Sequence, residues 1–236
     1  MMEETINNYD DILLMLDSFI REPAGFWNEF YRNREKAIPF FVNKPDENLA
    51  AYFEQEWIRP GKVLELGCGP GRNAVYFAKN GCSVDAVDLS EVSLQWAAER
   101  AEQEKVAVNF IQSNLFELVV DRGKYDIIYD SGCFHHIAPH RKITYLNLVH
   151  HALKPGGHFA LSCFEAGGPL GGVEMSDWEV YRERSIKGGL GYTDEKLRTI
   201  FKDFEVVEIR KMKEETEDST LFGVNGLLTS LFQKNK

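Results

Sequence analysis

The hydrophobic pattern of the chain changes period near residue 60. Before that point apolar residues recur at helical spacing: Ile12, Leu13, Leu16 and Ile20, then Phe26, Trp27, Phe30 and Tyr31, then Leu49, Tyr52 and Phe53. Pro23 breaks the first run, Pro45 precedes the third and Pro60 ends it, because proline lacks the N–H that a helix interior needs. The pattern predicts three helices, an N-terminal helical cap over residues 1–60.

From Lys62 onward short apolar runs alternate with helical stretches. Strands are expected at residues 63–66, 84–87, 106–111 and 125–129, and at 158–164 after a Pro155-Gly156-Gly157 turn. Helices are expected between them at 73–79, at 92–102 and through Tyr145, Leu148, Val149 and Ala152. That alternation predicts an α/β fold with a parallel sheet covered on both faces. The tail departs from the rhythm. Residues 165–191 are rich in glycine and read as a loop or lid with a short helix near Trp178. A last helix closes at 197–201, and 204–212 and 226–232 read as strands joined by the acidic stretch 214–218. Two consecutive strands without a crossover helix must pair antiparallel or leave the sheet.

Composition narrows the class. The 236 residues carry a net charge of −10, which disfavours a nucleic-acid partner, since tracking phosphates needs a basic face. The cysteines, Cys68, Cys82, Cys133 and Cys163, form no CxxC pair, so neither a zinc knuckle nor a redox motif is suggested. The acidic N-terminus lacks the features of a signal peptide, and no stretch reaches the ~18 apolar residues of a membrane span. A soluble, cytoplasmic chain with reduced thiols is expected, with no membrane partner.

The strongest local signal is Glu65-Leu66-Gly67-Cys68-Gly69-Pro70-Gly71, where the first strand gives way to a helix. Glycines there let the backbone turn tightly against a ligand. Asp88 follows about 20 residues on, at the end of the second strand, where a carboxylate can accept from ribose hydroxyls. The pair points to an adenosine-type ligand at the carboxyl edge of the sheet. The spacing is GxGxG, with Arg72 and Asn73 where a dinucleotide fingerprint would carry its third glycine.

Residues 63–81, VLELGCGPGRNAVYFAKNG, resemble motif I of the class I S-adenosylmethionine-dependent methyltransferases. VDAVDLS at 84–90 resembles the acidic second motif, SNLFEL at 113–118 the adenine-contacting segment, YDIIYDSGCFHHI at 125–137 the motif after it, and LKPGGHF at 153–159 the turn into strand five. The resemblance covers residues 62–233. It implies a Rossmann-like three-layer sandwich over residues 61–236. Its sheet would have seven strands, mostly parallel, in the order 3-2-1-4-5-7-6 with the last strand antiparallel.

It also implies S-adenosylmethionine as cofactor, S-adenosylhomocysteine as product, and a role for each matching position. Glu65, Gly67 and Gly69 would shape the pocket for the methionine portion, and Cys68, Gly71 and Asn73 would also belong to the cofactor site. Asp88 would bind the ribose, with Leu89 and Ser90 beside the adenine. Asn114, where the family commonly has aspartate, would face the adenine amino group, with Leu115 next to it. Asp130 and Ser131 would lie near the methionine amino group or the acceptor.

Methyl transfer from a sulfonium asks the protein mainly to orient the acceptor and exclude water. A base is needed only when the acceptor holds its proton at neutral pH. His135 and His136, just after strand four, are the candidates for that base or for orienting the acceptor. Trp27, Tyr31 and Trp178 are candidates for a lid over the acceptor. No metal is expected: His136 and His140 stand four apart, but Pro139 interrupts a helix between them. Cys133 reads as a small core residue, and Arg182, Arg184 and Lys187 as a solvated face.

The segment at 130–133 lacks the [N/D/S]PP[Y/F/W] pattern of nucleic-acid amino-methyltransferases, so the expected acceptor is a small molecule, methylated on oxygen, nitrogen or sulfur. Two alternatives stay open: an NAD(P)-dependent oxidoreductase, and a non-catalytic protein binding S-adenosylmethionine or S-adenosylhomocysteine. The oligomeric state is not legible.

Overall fold

The structure, a computed structural model, describes residues 5–236; the first four residues of the expected cap lie outside the described residues. Three helices come first: α1 (Tyr9–Asp17), α2 (Pro23–Arg32) and α3 (Glu47–Glu54). Pro23 lies six residues past the end of α1. It opens α2 as its first residue, where the missing N–H costs nothing, and the Glu22 carboxylate caps the N–H groups of Ala24 and Gly25.

Strand and helix then alternate: β1 (Lys62–Leu66), α4 (Arg72–Lys79), β2 (Ser83–Asp88), α5 (Glu91–Gln103), β3 (Asn109–Gln112), β4 (Tyr125–Ser131), α6 (Arg141–Ala152) and β5 (Leu153–Phe164). The chain ends with α7 (Asp177–Glu183), α8 (Asp194–Ile200), β6 (Phe204–Lys211) and β7 (Leu227–Lys234). The seven strands lie in the order β3-β2-β1-β4-β5-β7-β6, and β7 is antiparallel to both of its neighbours. This is the sheet that the motif order implied.

Two boundaries differ from the sequence pattern. The third strand starts at Asn109, not at residue 106. α5 runs on to Gln103, and Lys105 then takes a left-handed φ of 55° that lets the Val106 N–H return to the Ala101 carbonyl. The Pro155-Gly156-Gly157 run is a bulge inside β5 and not a turn before it: Tyr125 pairs with Leu153, and the next pair is Ile127 with His158.

Two layers of helices cover the sheet. On one face Leu49 and Tyr52 of α3, Phe77 of α4 and Leu94 of α5 pack on Val63, Ala86 and Tyr129. On the other, Tyr145 and Val149 of α6, Val180 of α7 and Leu197 of α8 pack on Leu64, Ile128 and Phe159. Because α3 shares a core with β1 and α4, only α1 and α2 stand apart, at the carboxyl edge of the strands. α2 is tied to α5 by the Ser90 hydroxyl, which donates to Asn28 Oδ1 at 2.8 Å, and by the Arg34–Glu99 ion pair. α1 is tied to the start of α6 by Asp17, which meets Arg141 and His140 Nε2. Among the described residues no helix is long and apolar enough to cross a membrane.

Candidate active site

The site grows from the carboxyl ends of β1, β2 and β4. The turn after β1 is close-packed because its glycines lack side chains. A Cβ on Gly67, which sits at φ +67°, would fall 2.5 Å from Cβ of Cys133 in the segment after β4. A Cβ on Gly71 would fall 2.7 Å from that of Ala97, so only glycine lets α5 approach the start of α4. Asp88, buried at the end of β2, closes the turn: Oδ2 accepts the Gly69 N–H at 2.8 Å and Oδ1 accepts the Ser90 N–H at 2.8 Å. Burial raises its carboxyl pKa, and these backbone bonds oppose the rise.

Glu65 on β1, two residues before Gly67, is 2% exposed and its Oε2 has no hydrogen-bond partner. Burial pushes its pKa well above the ordinary carboxylate range, against the pull of Arg72 and with the push of Asp46, Asp130 and Asp88. A buried acceptor with nothing to accept from, beside a second carboxylate and a glycine turn, suits a cationic adenosyl ligand. The donor set therefore fits S-adenosylmethionine, whose sulfonium and ammonium both carry positive charge.

Several expected site residues prove to be builders of the site. The Asn73 side chain is turned to Asp46. Its Oδ1 accepts the Asp46 N–H and its Nδ2 donates to Asp46 Oδ2, both at 3.0 Å, which anchors the segment ahead of α3. Asp130 is also taken up: Oδ1 accepts from the N–H groups of Cys133 and Phe134, and Oδ2 accepts from the Tyr145 hydroxyl at 2.7 Å. Burial raises it to about 6. It thus caps the 3-10 turn Phe134–His136 that carries both histidines.

Ser131, one residue on, accepts from Arg72 at 3.2 Å. Ser90 caps α5 through Ser93, and Leu89 beside it is half-buried. Cys68 is buried in the turn. Asn114 Oδ1 accepts from the Phe116 N–H, which fixes the loop after β3, and Leu115 packs on the core there.

The histidines have different surroundings. His135 is 3% exposed, stacked on Phe164, and accepts the Phe164 N–H at Nδ1. Burial depresses its pKa well below the imidazole range. His136 keeps a buried Nδ1 with no partner. Its ring stands edge-on to Trp27, with centroids 4.8 Å apart. Burial, and then the charge of Arg21, lower it to about 4.

Trp27 stacks on Tyr31, whose hydroxyl lies 3.0 Å from where a Gly69 side chain would begin. The cap thus rests on both the glycine turn and the histidines. Trp178 is elsewhere: it is 77% exposed on α7, whose buried side is Val180. It does not line an enclosed wall. Among the described residues no group of three or more His, Cys, Asp or Glu could hold a metal ion.

Sequence reasoning missed Arg72 and Asp46. Arg72 is 8% exposed; it pairs with Asp46 and lies over the Phe222 ring at 4.2 Å. Asp46 is fully buried and also accepts from the Tyr129 hydroxyl at 2.7 Å. The cluster binds the first segment, the glycine turn and β4 into one unit. The arginine directly after GxGxG was visible in the sequence, but its partner 26 residues upstream was not.

Residues 63–157 match the family model for a methyltransferase domain. An uncharacterized methyltransferase of Synechocystis is 35% identical over 122 residues, 51% of this chain and 52% of that protein. A ubiquinone biosynthesis O-methyltransferase of Coxiella burnetii is 34% identical over 113 residues, 47% of each. The chain spans about half the length of the curated relatives it matches. Among solved structures, the 1,6-didemethyltoxoflavin N1-methyltransferase of Burkholderia thailandensis shares the fold with a TM-score of 0.64. It is 23% identical, with 98% of this chain and 92% of that one covered. Residues 63–157 thus match a methyltransferase domain, and the sheet around them has the strand order that the motif resemblance implied.

Proposed function

We propose that the protein transfers a methyl group from S-adenosylmethionine to oxygen, nitrogen or sulfur of a small molecule by direct in-line displacement. The observation that carries this reading is the pairing of Asp88, closed on the glycine turn, with the unpartnered buried Glu65. Asp88 binds the ribose hydroxyls, Glu65 meets the ammonium, and Leu89, Ser90, Asn114 and Leu115 border the adenine. The cofactor supplies a methyl group already activated on a positive sulfur.

The protein's part is orientation and the exclusion of water, done by α2 with Trp27 and Tyr31 lying over the turn. His136, neutral and with a free Nδ1, is the group that can take a proton from the acceptor. His135, whose Nδ1 already accepts a backbone bond, orients the wall. The net charge of −10 supports a small-molecule acceptor over nucleic acid.

The test is calorimetry with S-adenosylmethionine, S-adenosylhomocysteine and NADP. The first two bind and the third does not. Asp88→Ala loses about 2–4 kcal/mol of affinity, the value of two charge-assisted bonds partly replaced by water. Uptake of NADP alone would sink the reading. Binding with no transfer to any acceptor would leave the non-catalytic alternative.

A further inference from the structure

By its pattern the connection between β6 and β7, residues 212–226, only joins two strands. In the fold it crosses to the segment ahead of α3 and is bonded there on both sides of one residue. The Phe222 N–H donates to the Pro45 carbonyl at 2.7 Å, and the Phe222 carbonyl accepts the Glu47 N–H at 2.8 Å. The Glu47 carboxylate in turn accepts from Arg210 at 2.5 and 2.9 Å and from the Lys213 N–H at 2.9 Å. These bonds hold the Phe222 backbone against residues 45–47, and the residue is only 6% exposed.

The ring lies against one cation. Arg72 Cζ stands 4.2 Å from its centroid. Arg72 is the first residue of α4 and directly follows the glycine turn. Its guanidinium donates to the Lys44 carbonyl and to Ser131 Oγ, both at 3.2 Å, and pairs with Asp46. Guanidinium donors lie in the plane of the group, so its face can be covered by an aromatic ring without stranding an N–H. Glu65 is sensitive to where this charge sits. Burial raises its pKa first, Arg72 opposes the rise, and the carboxylates Asp46, Asp130 and Asp88 add to it. A guanidinium free to tilt toward water would lose part of its hold on Glu65.

We propose that Phe222 is a positioning residue for cofactor binding, acting through Arg72: its ring holds the guanidinium beside Asp46 and Ser131, at the start of α4, and so keeps the positive charge close to Glu65. This rests on the methyltransferase reading above, in which Glu65 meets the cofactor's ammonium. A residue 150 places beyond the glycine turn, on the connection between the last two strands, thereby sets how well the turn holds its ligand.

The test is calorimetry of the whole chain with S-adenosylmethionine at about pH 8 and about pH 6.5, beside thermal melts. Phe222→Leu keeps the two backbone bonds and removes the ring. Its Kd rises about threefold at the higher pH and about tenfold at the lower, because a weaker positive charge leaves more of Glu65 protonated as pH falls. Phe222→Tyr keeps the flat face and stays within about twofold of the parent at both. Leu227→Ala thins the same apolar cluster; it lowers the melting temperature and leaves Kd at the parent value. A parent-like Kd in Phe222→Leu overturns the proposal. So does an equal rise at the two pH values, a Phe222→Tyr no better than Phe222→Leu, or a rise of the same size in Leu227→Ala. Should Phe222→Leu not fold, Phe222→Met is read in the same way. A parent chain that takes up no cofactor fails the earlier reading first, and this one with it.

Discussion

The backbone N–H of Phe164 donates to Nδ1 of His135 at 3.2 Å, and the two residues stack ring on ring at 3.7 Å. Nδ1 accepts, so the neutral ring carries its proton on Nε2. Two adjacent histidines are thereby given different work: His135 is fixed by β5, and His136 is left with a buried, unpartnered Nδ1.

That division is testable by substitution. His135→Ala removes a buried ring and orphans the Phe164 N–H, so it costs about 3 kcal/mol of stability and lowers the melting temperature. His136→Ala changes stability by about 1 kcal/mol or less, leaves cofactor affinity in place and lowers kcat about 100-fold. Thermal melts with single-turnover rates separate the two. A His136→Ala protein with undiminished kcat removes the proton-accepting role.

The pH profile follows from His136. Its pKa is lowered to about 4, so the imidazole stays neutral, and able to accept, well below the usual histidine range. The acid limb of kcat falls toward about pH 4 and not near about 6.5. A limb centred near the ordinary histidine value would show that His136 is not the group. The linkage has a matching sign. A depressed pKa stabilises the fold above the unfolded value of 6.5, and that contribution is lost as pH falls through the folded pKa.

Asp130 titrates in the opposite sense. Its pKa is raised by burial from 3.8 to about 6. A raised acid contributes stability that is fully present below the unfolded pKa and is lost as pH rises through the folded one. Asp130→Asn keeps an oxygen for the Cys133 and Phe134 N–H groups and cannot ionise. From about pH 7 to about pH 4 the parent chain therefore gains up to about 3 kcal/mol relative to the variant. Urea unfolding at both pH values measures it. Parallel stability curves for the two proteins would show that the carboxylate is not strained by its burial.

What could be read in the chain was local. The glycine turn and Asp88 lie within a single strand–helix–strand unit, so spacing alone placed them together, and the repeated alternation gave the sheet. Roles that depend on orientation or on distant docking did not show. Tyr129 and Ser131 point toward α3 and α4 while Asp130 between them meets Tyr145 of α6, because neighbours on a strand face opposite sides. Trp178 looked like a lid because it sits in the glycine-rich segment. It stands two residues before the buried Val180, on the opposite side of a short helix. Asn73 follows the glycines directly, a place that points to the ligand. The bonds of its side chain to Asp46 show only once the segment ahead of α3 has docked.

That docking makes the last prediction. Arg72 and Asp46 are both buried, and Asp46 also takes donors from Asn73 and Tyr129. A buried ion pair adds little over an apolar replacement, but losing one partner strands the other charge in the interior. Asp46→Ala is therefore expected to cost about 3–5 kcal/mol, near the whole stability of many domains. Asp46→Asn keeps one of the two acceptor oxygens and costs less. Because Arg72 also reaches Ser131, the loss is felt at the site: cofactor affinity falls in Asp46→Asn while the fold persists. Urea melts and calorimetry on Asp46→Asn check both halves. Parent-like stability in Asp46→Ala would mean that the cluster does not hold the first segment to the glycine turn.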